Sequence, residues 1–145
     1  MRDILFRAKR KDNGEWVEGL PIKTYDTEIG KNSVDYANPV PVVLMASGRI
    51  VLECGYDEVP FFNTDEYPIV NPETVEQYTG MTDKNGNKVF EGDILKGLYA
   101  NGNAEVEMIN GSWVGYAGKG WTDIGYVVDR VEVIGNIHDN PELLK

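Results

Sequence analysis

The only histidine of the 145-residue chain, His138, is the first candidate for catalysis or metal binding. Zinc sites need further His or Cys ligands at close spacing, and His138 has none nearby. Asp139 could orient a catalytic imidazole, but adjacent residues of a strand point to opposite faces of a sheet. We therefore expect His138 to satisfy hydrogen bonds in a turn near the end of the chain.

Glu105 and Glu107 are spaced for general acid–base chemistry, because alternate residues of a strand share one face of a sheet. Alternating acids are also common on strands that face solvent, and we favour this second interpretation. The sequence therefore predicts no catalytic residue and no enzyme activity. An enzyme that uses Glu105, Glu107 or His138 is the hypothesis that we rank last.

The segment Gly115–Gly120 resembles a phosphate-binding loop at first sight. It lacks the earlier glycine of that motif, and Gly120 stands where a Ser or Thr would hold magnesium. We expect an ordinary loop between two strands. Cys54 lies among acidic residues, which disfavour its reactive thiolate, so we expect it in a core or at a sheet edge. The sequence thus predicts no cofactor and no metal site.

The three tryptophans, with eight tyrosines, could stack nucleic-acid bases. Stacking in a binding groove needs basic residues around it, whereas the second half of the chain is acidic. We therefore expect these rings to pack in cores and on sheet faces. The tryptophans are Trp16, Trp113 and Trp121.

The elements that would position these residues are strands. Ile4, Phe6 and Ala8 alternate with a second set, Leu5, Arg7 and Lys9, as in a strand with two differing faces. The following Asn13-Gly14 predicts a hairpin with a type I′ turn. The segment Glu105–Ile109 also alternates, which places its two acids on the face opposite Val106. A second Asn-Gly pair at residues 110–111 then predicts a turn into another strand.

Strands dominate and no amphipathic helix of three turns appears, so the predicted fold class is mostly β with few short helical turns. Asn71-Pro72 predicts one such turn, with Asn as the cap. We divide the chain into an N-terminal β subdomain, residues 1–72, and a C-terminal subdomain, residues 73–145. The first carries a variable acidic insert at about residues 24–70. The second has about five short strands, which is typical of a small SH3-like barrel.

Charge is unevenly distributed along the chain, whose formal net charge is -10. Residues 1–12 carry five bases and two acids, a net charge of +3, whereas Ile50 to Asp83 contains eight acids and no base. The basic arm offers contacts to phosphate, and the acidic stretch offers a surface to a basic protein. The candidate phosphate contacts are Arg7, Lys9, Arg10 and Lys11, and the candidate acidic surface comprises Asp57, Glu58, Asp65 and Glu66.

The sequence predicts a soluble, cytoplasmic protein. The apolar stretch Ile4–Phe6 is far shorter than the roughly 7–15 residues of a signal-peptide core. No run approaches the roughly 20 apolar residues of a membrane-spanning helix, so we expect no membrane contact. A single cysteine fits a reducing compartment, because it cannot form an internal disulfide.

Three ordered motifs stand at both ends and in the middle of the chain. They are Ile4–Lys9 with Gly14–Gly19, Tyr78–Gly86 with Phe90–Ile94, and Val133–Leu143. Together they resemble the YopX family of bacteriophage and prophage proteins. The resemblance implies a mainly β architecture in two parts and a phage-encoded protein without an established activity.

The glycines and aspartates of these motifs have a structural interpretation. The glycines suit turns or close backbone approach, and the aspartates suit hydrogen bonds from side chain to backbone within turns. The glycines are Gly80, Gly86, Gly92 and Gly135, and the aspartates are Asp83, Asp93 and Asp139.

The leading functional hypothesis is a non-enzymatic phage accessory protein that acts through protein–protein contacts, with a homo-oligomer as one form of it. The second hypothesis is nucleic-acid binding through the basic N-terminal hairpin, although the net negative charge argues against it for the molecule as a whole. A related alternative is an acidic face that imitates DNA and blocks a host protein.

Overall fold

The computed structural model of the chain describes residues 4–26, 40–46, 53–54, 60–61, 67–118 and 120–145. Strands dominate the described residues, and their helical structure consists of short 3-10 turns, so the mostly β prediction is confirmed. The strands are β1 (Phe6–Lys9), β2 (Trp16–Asp26), β3 (Val40–Ala46), β4 (Glu53–Cys54), β5 (Pro60–Phe61), β6 (Ile69–Val70), β7 (Glu76–Thr82), β8 (Lys88–Phe90), β9 (Asp93–Lys96), β10 (Ala104–Ile109), β11 (Ser112–Tyr116), β12 (Trp121–Asp123) and β13 (Glu132–Asn136). The 3-10 turns are Pro72–Thr74, Ile124–Tyr126, Val128–Arg130 and Pro141–Leu144.

The chain divides into two compact units. One comprises Leu5–Val75, and the other comprises Glu76–Lys145 with the start of the chain up to Ile4. The boundary predicted from the sequence lies between residues 72 and 73. Over the ranges that the structure describes, no helix is long and apolar enough to cross a membrane.

The unit Leu5–Val75 is built on an antiparallel sheet in the order β6-β3-β2-β1. Alternate residues of its strands point to the same face, and on one face Ala8, Met45 and Val70 form a buried cluster. Gly19 of β2 lies against the backbone of Ala46, so close that any Cβ at this position would overlap the carbonyl oxygen. At the end of this unit, Asn71 caps the predicted 3-10 turn by accepting a hydrogen bond from the Glu73 N–H at 3.1 Å.

The hairpin of β1 and β2 forms as predicted, but its turn is not of type I′. The Arg10 N–H bonds the Glu15 carbonyl at 2.9 Å, which closes a loop of four residues. Only Gly14 of that loop has a positive φ, of 71°, whereas a type I′ turn needs two such residues. The β10–β11 hairpin has the type I′ pattern, with φ of 50° at Asn110 and 80° at Gly111.

The unit Glu76–Lys145 contains the β7–β8 hairpin and a five-stranded antiparallel sheet in the order β12-β11-β10-β9-β13. Its core gathers buried residues from strands and from the segment that joins β12 to β13. Throughout this unit as described, β12 pairs with β11 alone and β13 with β9 alone, so the sheet is open. The predicted SH3-like barrel is therefore not confirmed. The core residues are Val89, Leu95, Val106, Ile124 and Val131.

Candidate interaction surface

One face of the five-stranded sheet carries a row of residues that crosses four strands. Glu105 of β10 pairs with Ile94 of β9 on one side and with Tyr116 of β11 on the other. Tyr116 pairs in turn with Trp121 of β12. Directly paired residues of antiparallel strands point to the same face, so the carboxylate and both rings lie side by side.

A second row runs beside the first on the same face. Glu107 of β10 pairs with Val114 of β11, which pairs with Asp123 of β12. The prediction that Glu105 and Glu107 share a face is therefore confirmed. We call Glu105, Glu107, Tyr116, Trp121 and Asp123 the acidic aromatic face.

The rings of the acidic aromatic face are exposed. Trp121 has 51% of its surface exposed to solvent, and Tyr116 has 36%. The Tyr116 hydroxyl donates a hydrogen bond to the Gly118 carbonyl at 3.1 Å, which fixes the direction of its ring. An exposed aromatic pair on a regular sheet face offers a large contact area at a low cost in side-chain entropy.

The opposite side of the sheet holds β11 and β12 together. The Tyr99 hydroxyl donates to the Gly115 carbonyl at 3.0 Å and lies 3.0 Å from the Thr122 Oγ1. A Cβ at Gly115 would overlap the Leu98 side chain, so this position needs a glycine. The two strands that carry the exposed rings are thereby anchored on the core.

The acids of this region interact through their charges. Burial raises the pKa of Glu105, and the negative charges of Glu107 and Glu91 raise it further. Nearby positive charge would relieve this repulsion and favour the ionised form. In the described ranges, no group of three or more His, Cys, Asp and Glu residues could hold a metal ion.

His138 pairs with Glu76, the first residue of β7. The His138 Nε2 lies 2.9 Å from the Glu76 Oε1, with the imidazole 24% exposed and the carboxylate 5% exposed. Gly92 lies against that carboxylate, and a Cβ there would overlap the Glu76 Oε1. The backbone of Gly92 also bonds Val106 and Ile137, each at 2.9 Å. This arrangement joins three parts of the unit and gives His138 a structural role.

The Asp83 carboxylate organises the β7–β8 turn. It accepts hydrogen bonds from the N–H groups of Asn85, Asn87 and Val133, each at 2.9 Å. Burial opposes its ionisation, but the hydrogen bonds, first among them that from Val133, lower the pKa of Asp83. The turn role predicted for Asp83 is therefore confirmed.

The other two motif aspartates differ from each other. The Asp93 Oδ2 accepts a hydrogen bond from the Phe90 N–H at 2.8 Å, as predicted. After β13 the acceptor is Asn136, whose Oδ1 takes the N–H groups of His138 and Asp139, each at 3.0 Å. The turn bond predicted for Asp139 is not among these, and the Asp139 Oδ2 accepts a hydrogen bond from the Asn136 Nδ2 at 3.1 Å.

The predicted phosphate contacts are not equivalent in the structure. The Arg7 guanidinium lies 4.7 Å and the Lys9 Nζ 5.5 Å from the Trp16 ring centroid. Arg10 is bound by Asp12, through contacts of 2.9 and 2.6 Å, and this hydrogen bonding lowers the pKa of Asp12. Lys11 is exposed in the hairpin turn. Arg7 and Lys9 thus share a ring, and the Arg10 guanidinium binds Asp12.

The predicted acidic surface falls outside the described residues. This applies to all of its members and to the DNA-mimic alternative that depends on them. The acidic surface within the described residues is a different one, the acidic aromatic face. The members of the predicted acidic surface are Asp57, Glu58, Asp65 and Glu66.

Comparison with known proteins gives these features a context. No curated protein matches the chain. The crystal structure of protein EF1440 from Enterococcus faecalis is similar, with 25% sequence identity, a TM-score of 0.52 and coverage of 100% of both chains. The sequence model of the YopX protein family matches residues 5–145. The chain therefore belongs to the YopX family, as its three motifs predicted.

Proposed function

We propose that this YopX-family protein is a non-enzymatic accessory protein of a bacteriophage or prophage that acts in the host cytoplasm by binding a basic partner protein. The observation that carries the proposal is the row of Glu105, Tyr116 and Trp121 on one partly exposed sheet face. The engagement of His138 by buried Glu76 supports a non-enzymatic role.

The acidic aromatic face suits a cationic side chain. Aromatic rings attract Lys and Arg through their negative faces, and carboxylates add charge-assisted hydrogen bonds. Glu105 and Glu107 flank the rings, and the phosphates of a nucleic acid would be repelled by them. A basic protein is therefore the partner class that matches both features.

The cost of Glu105 to the fold supports the same proposal. Burial and the neighbouring charges of Glu107 and Glu91 disfavour its ionised form in the free protein. Residues that cost stability are frequently retained for function. A bound cation would relieve the repulsion among the three carboxylates, and part of that relief would appear as binding energy.

The test is capture of a partner from host lysate, followed by binding measurements with that purified protein. We expect the double variant Glu105→Gln/Glu107→Gln to bind at least about tenfold more weakly, because charged interface pairs contribute about 1.5 kcal/mol or more. The matched control Asp129→Asn/Glu142→Gln removes the same charge from exposed positions away from the face and should bind normally.

Equal binding by the Glu105→Gln/Glu107→Gln variant and the control would overturn the proposed face. A parallel variant neutralises the four acids of the predicted surface. Loss of binding in that variant alone would move the interaction to the acidic stretch. The four acids that this variant neutralises are Asp57, Glu58, Asp65 and Glu66.

The basic hairpin favours a second candidate function, nucleic-acid binding. Arg7 and Lys9 are held against Trp16, which presents two cations and a ring together on β1 and β2. Fluorescence anisotropy with single-stranded DNA at low salt tests this candidate. Binding should weaken steeply with salt and with Arg7→Gln/Lys9→Gln. Absence of binding at low salt would remove the candidate.

A further inference from the structure

The five-stranded sheet has one edge, at β13, that is covered by a turn, and another, at β12, that is not covered in the described part of the chain. At the β13 edge, the Val133 N–H donates to the Asp83 Oδ2 at 2.9 Å, and the Lys84 N–H donates to the Val131 carbonyl at 3.1 Å. The turn around Asp83 therefore occupies backbone groups that an added strand would need. Such covering is a common protection of sheet edges.

The β12 edge is open in the described part of the chain. The Ala117 N–H donates to the Gly120 carbonyl at 3.0 Å, which makes these two residues a hydrogen-bonded pair. Such pairs alternate along an antiparallel ladder, so Gly115 and Thr122 form the next one. The backbone N–H and C=O groups of Trp121 and Asp123, the residues between, then point away from β11.

The outward backbone groups belong to the residues whose side chains lie on the acidic aromatic face. A strand added beside β12 would form its hydrogen bonds with both backbone groups of Trp121 and with the N–H of Asp123. The Asp123 carbonyl accepts the first bond of the Ile124–Tyr126 turn, of which Asp123 is the N-cap. The residues directly opposite Trp121 and Asp123 would then present their side chains on the same face. One would lie beside the Trp121 ring and the other, two positions along, beside the Asp123 carboxylate.

We propose that β12 receives an extended segment of the partner protein as an added antiparallel strand, with Lys or Arg at two alternate positions opposite Trp121 and Asp123. This inference rests on the proposed function and specifies how the partner is recognised. Main-chain hydrogen bonds contribute affinity in such complexes, and alternate side chains contribute specificity. Charge complementarity selects the basic residues, because the face around the edge is acidic.

The edge residues are held in place before any partner binds. The Asp123 Oδ1 accepts a hydrogen bond from the Gly125 N–H at 2.8 Å, which orients its carboxylate. Thr122 is tied to Tyr99 on the core side. A pre-ordered strand loses little conformational entropy on binding, which favours strand addition at this edge over the covered edge.

The first test uses a blocked peptide of sequence Thr-Val-Arg-Thr-Arg-Val-Thr and the full-length protein, with binding followed by Trp fluorescence and calorimetry. We expect N-methylation of both Arg amides to weaken binding at least tenfold, because these N–H groups face β12. N-methylation of the central Thr amide, which faces away, should leave binding within about twofold. A peptide of the same composition with adjacent Arg residues should bind more weakly than the alternating one. Equal effects of the two methylations, or no binding by the alternating peptide, would overturn strand addition.

The second test uses two substitutions at one residue. Asp123 has a φ of -60°, which proline adopts without strain, and its N–H points away from β11. Asp123→Ala and Asp123→Pro both remove the carboxylate and its bond to Gly125, but only Asp123→Pro removes the edge N–H. We expect Asp123→Pro to bind the alternating peptide at least fivefold more weakly than Asp123→Ala, with circular dichroism confirming that both variants fold.

The outcomes separate this inference from the proposed function. Equal binding by Asp123→Ala and Asp123→Pro would overturn strand addition. The proposed function would then stand if Glu105→Gln/Glu107→Gln still weakened binding of the captured partner. If that double variant bound its partner normally, the proposed function and the inference built on it would both fail.

Discussion

The imidazole of His138 and the carboxylate of Glu76 meet at 2.9 Å, the one near the end of the chain and the other at the start of β7. The contact therefore links the first strand of the segment Glu76–Lys145 to a residue near its end. The contact is an ion pair when the imidazole is protonated. The pair therefore acts on stability and is separate from the acidic aromatic face.

Substitution of His138 should destabilise the fold, because it leaves the buried Glu76 carboxylate without its imidazole partner. We expect His138→Ala to lower the free energy of unfolding by about 2–3 kcal/mol, which urea denaturation measures. Glu76→Gln/His138→Ala should recover part of the loss, because a neutral amide costs less to bury than a carboxylate. A loss under about 0.5 kcal/mol would contradict the assigned role.

Gly92→Ala should destabilise the fold more than the same change at Gly80. Both glycines have a positive φ, of 78° and 83°, so both variants carry a backbone cost of about 1 kcal/mol. Only at Gly92 would the new methyl group overlap the Glu76 carboxylate, whereas nothing lies within 4 Å of a Cβ at Gly80. Thermal denaturation of the two variants makes the comparison. Equal losses would show that Glu76 moves aside freely.

Asp83 should contribute stability that is lost in acid. Its pKa is lower in the folded than in the unfolded state, so the folded state binds fewer protons around that pH. The contribution is therefore complete above the unfolded pKa of about 4 and disappears as the pH falls through the folded value. Asp83→Asn should cost about 2 kcal/mol at pH 7, from lost charge-assisted hydrogen bonds, and about nothing once the pH is below the folded pKa of Asp83. A cost independent of pH would contradict this prediction.

Glu105→Gln should stabilise the free protein while it weakens partner binding. The pKa of Glu105 is raised on folding, so its ionised form costs stability at neutral pH, and this cost fades as the pH falls towards the unfolded value. Because the side chain is partly exposed, we expect a gain well under about 1 kcal/mol at pH 7. Chemical denaturation at pH 7 and pH 4 measures it. A loss of stability at pH 7 would contradict the predicted repulsion.

The two Asn-Gly turns show how far local sequence determined the fold. Both pairs predicted tight turns, yet only Asn110-Gly111 adopts the type I′ conformation. At Asn13-Gly14, the loop includes two further residues because Arg10 bonds Glu15. The length of the loop depends on how the two flanking strands pair, and the turn propensity of Asn-Gly alone does not predict that pairing.

Part of the acidic aromatic face follows from the sequence. A two-residue turn at Asn110-Gly111 fixes the register of its hairpin, which places Glu105 opposite Tyr116. The pairing of Tyr116 with Trp121 has no such signal, because no Asn-Gly pair stands between β11 and β12. The pairing of His138 with Glu76 could not be obtained this way, because it depends on packing between elements that no single turn connects.

The unequal edges of the five-stranded sheet bear on self-association. Two copies that joined through β12 would bring Asp123, Glu105 and Glu107 of one molecule towards the same acids of the other. Their mutual repulsion would keep solitary copies apart and leave the edge vacant for a cationic segment. At high salt this protection would weaken, and the protein would begin to assemble with itself through the edge that its partner uses.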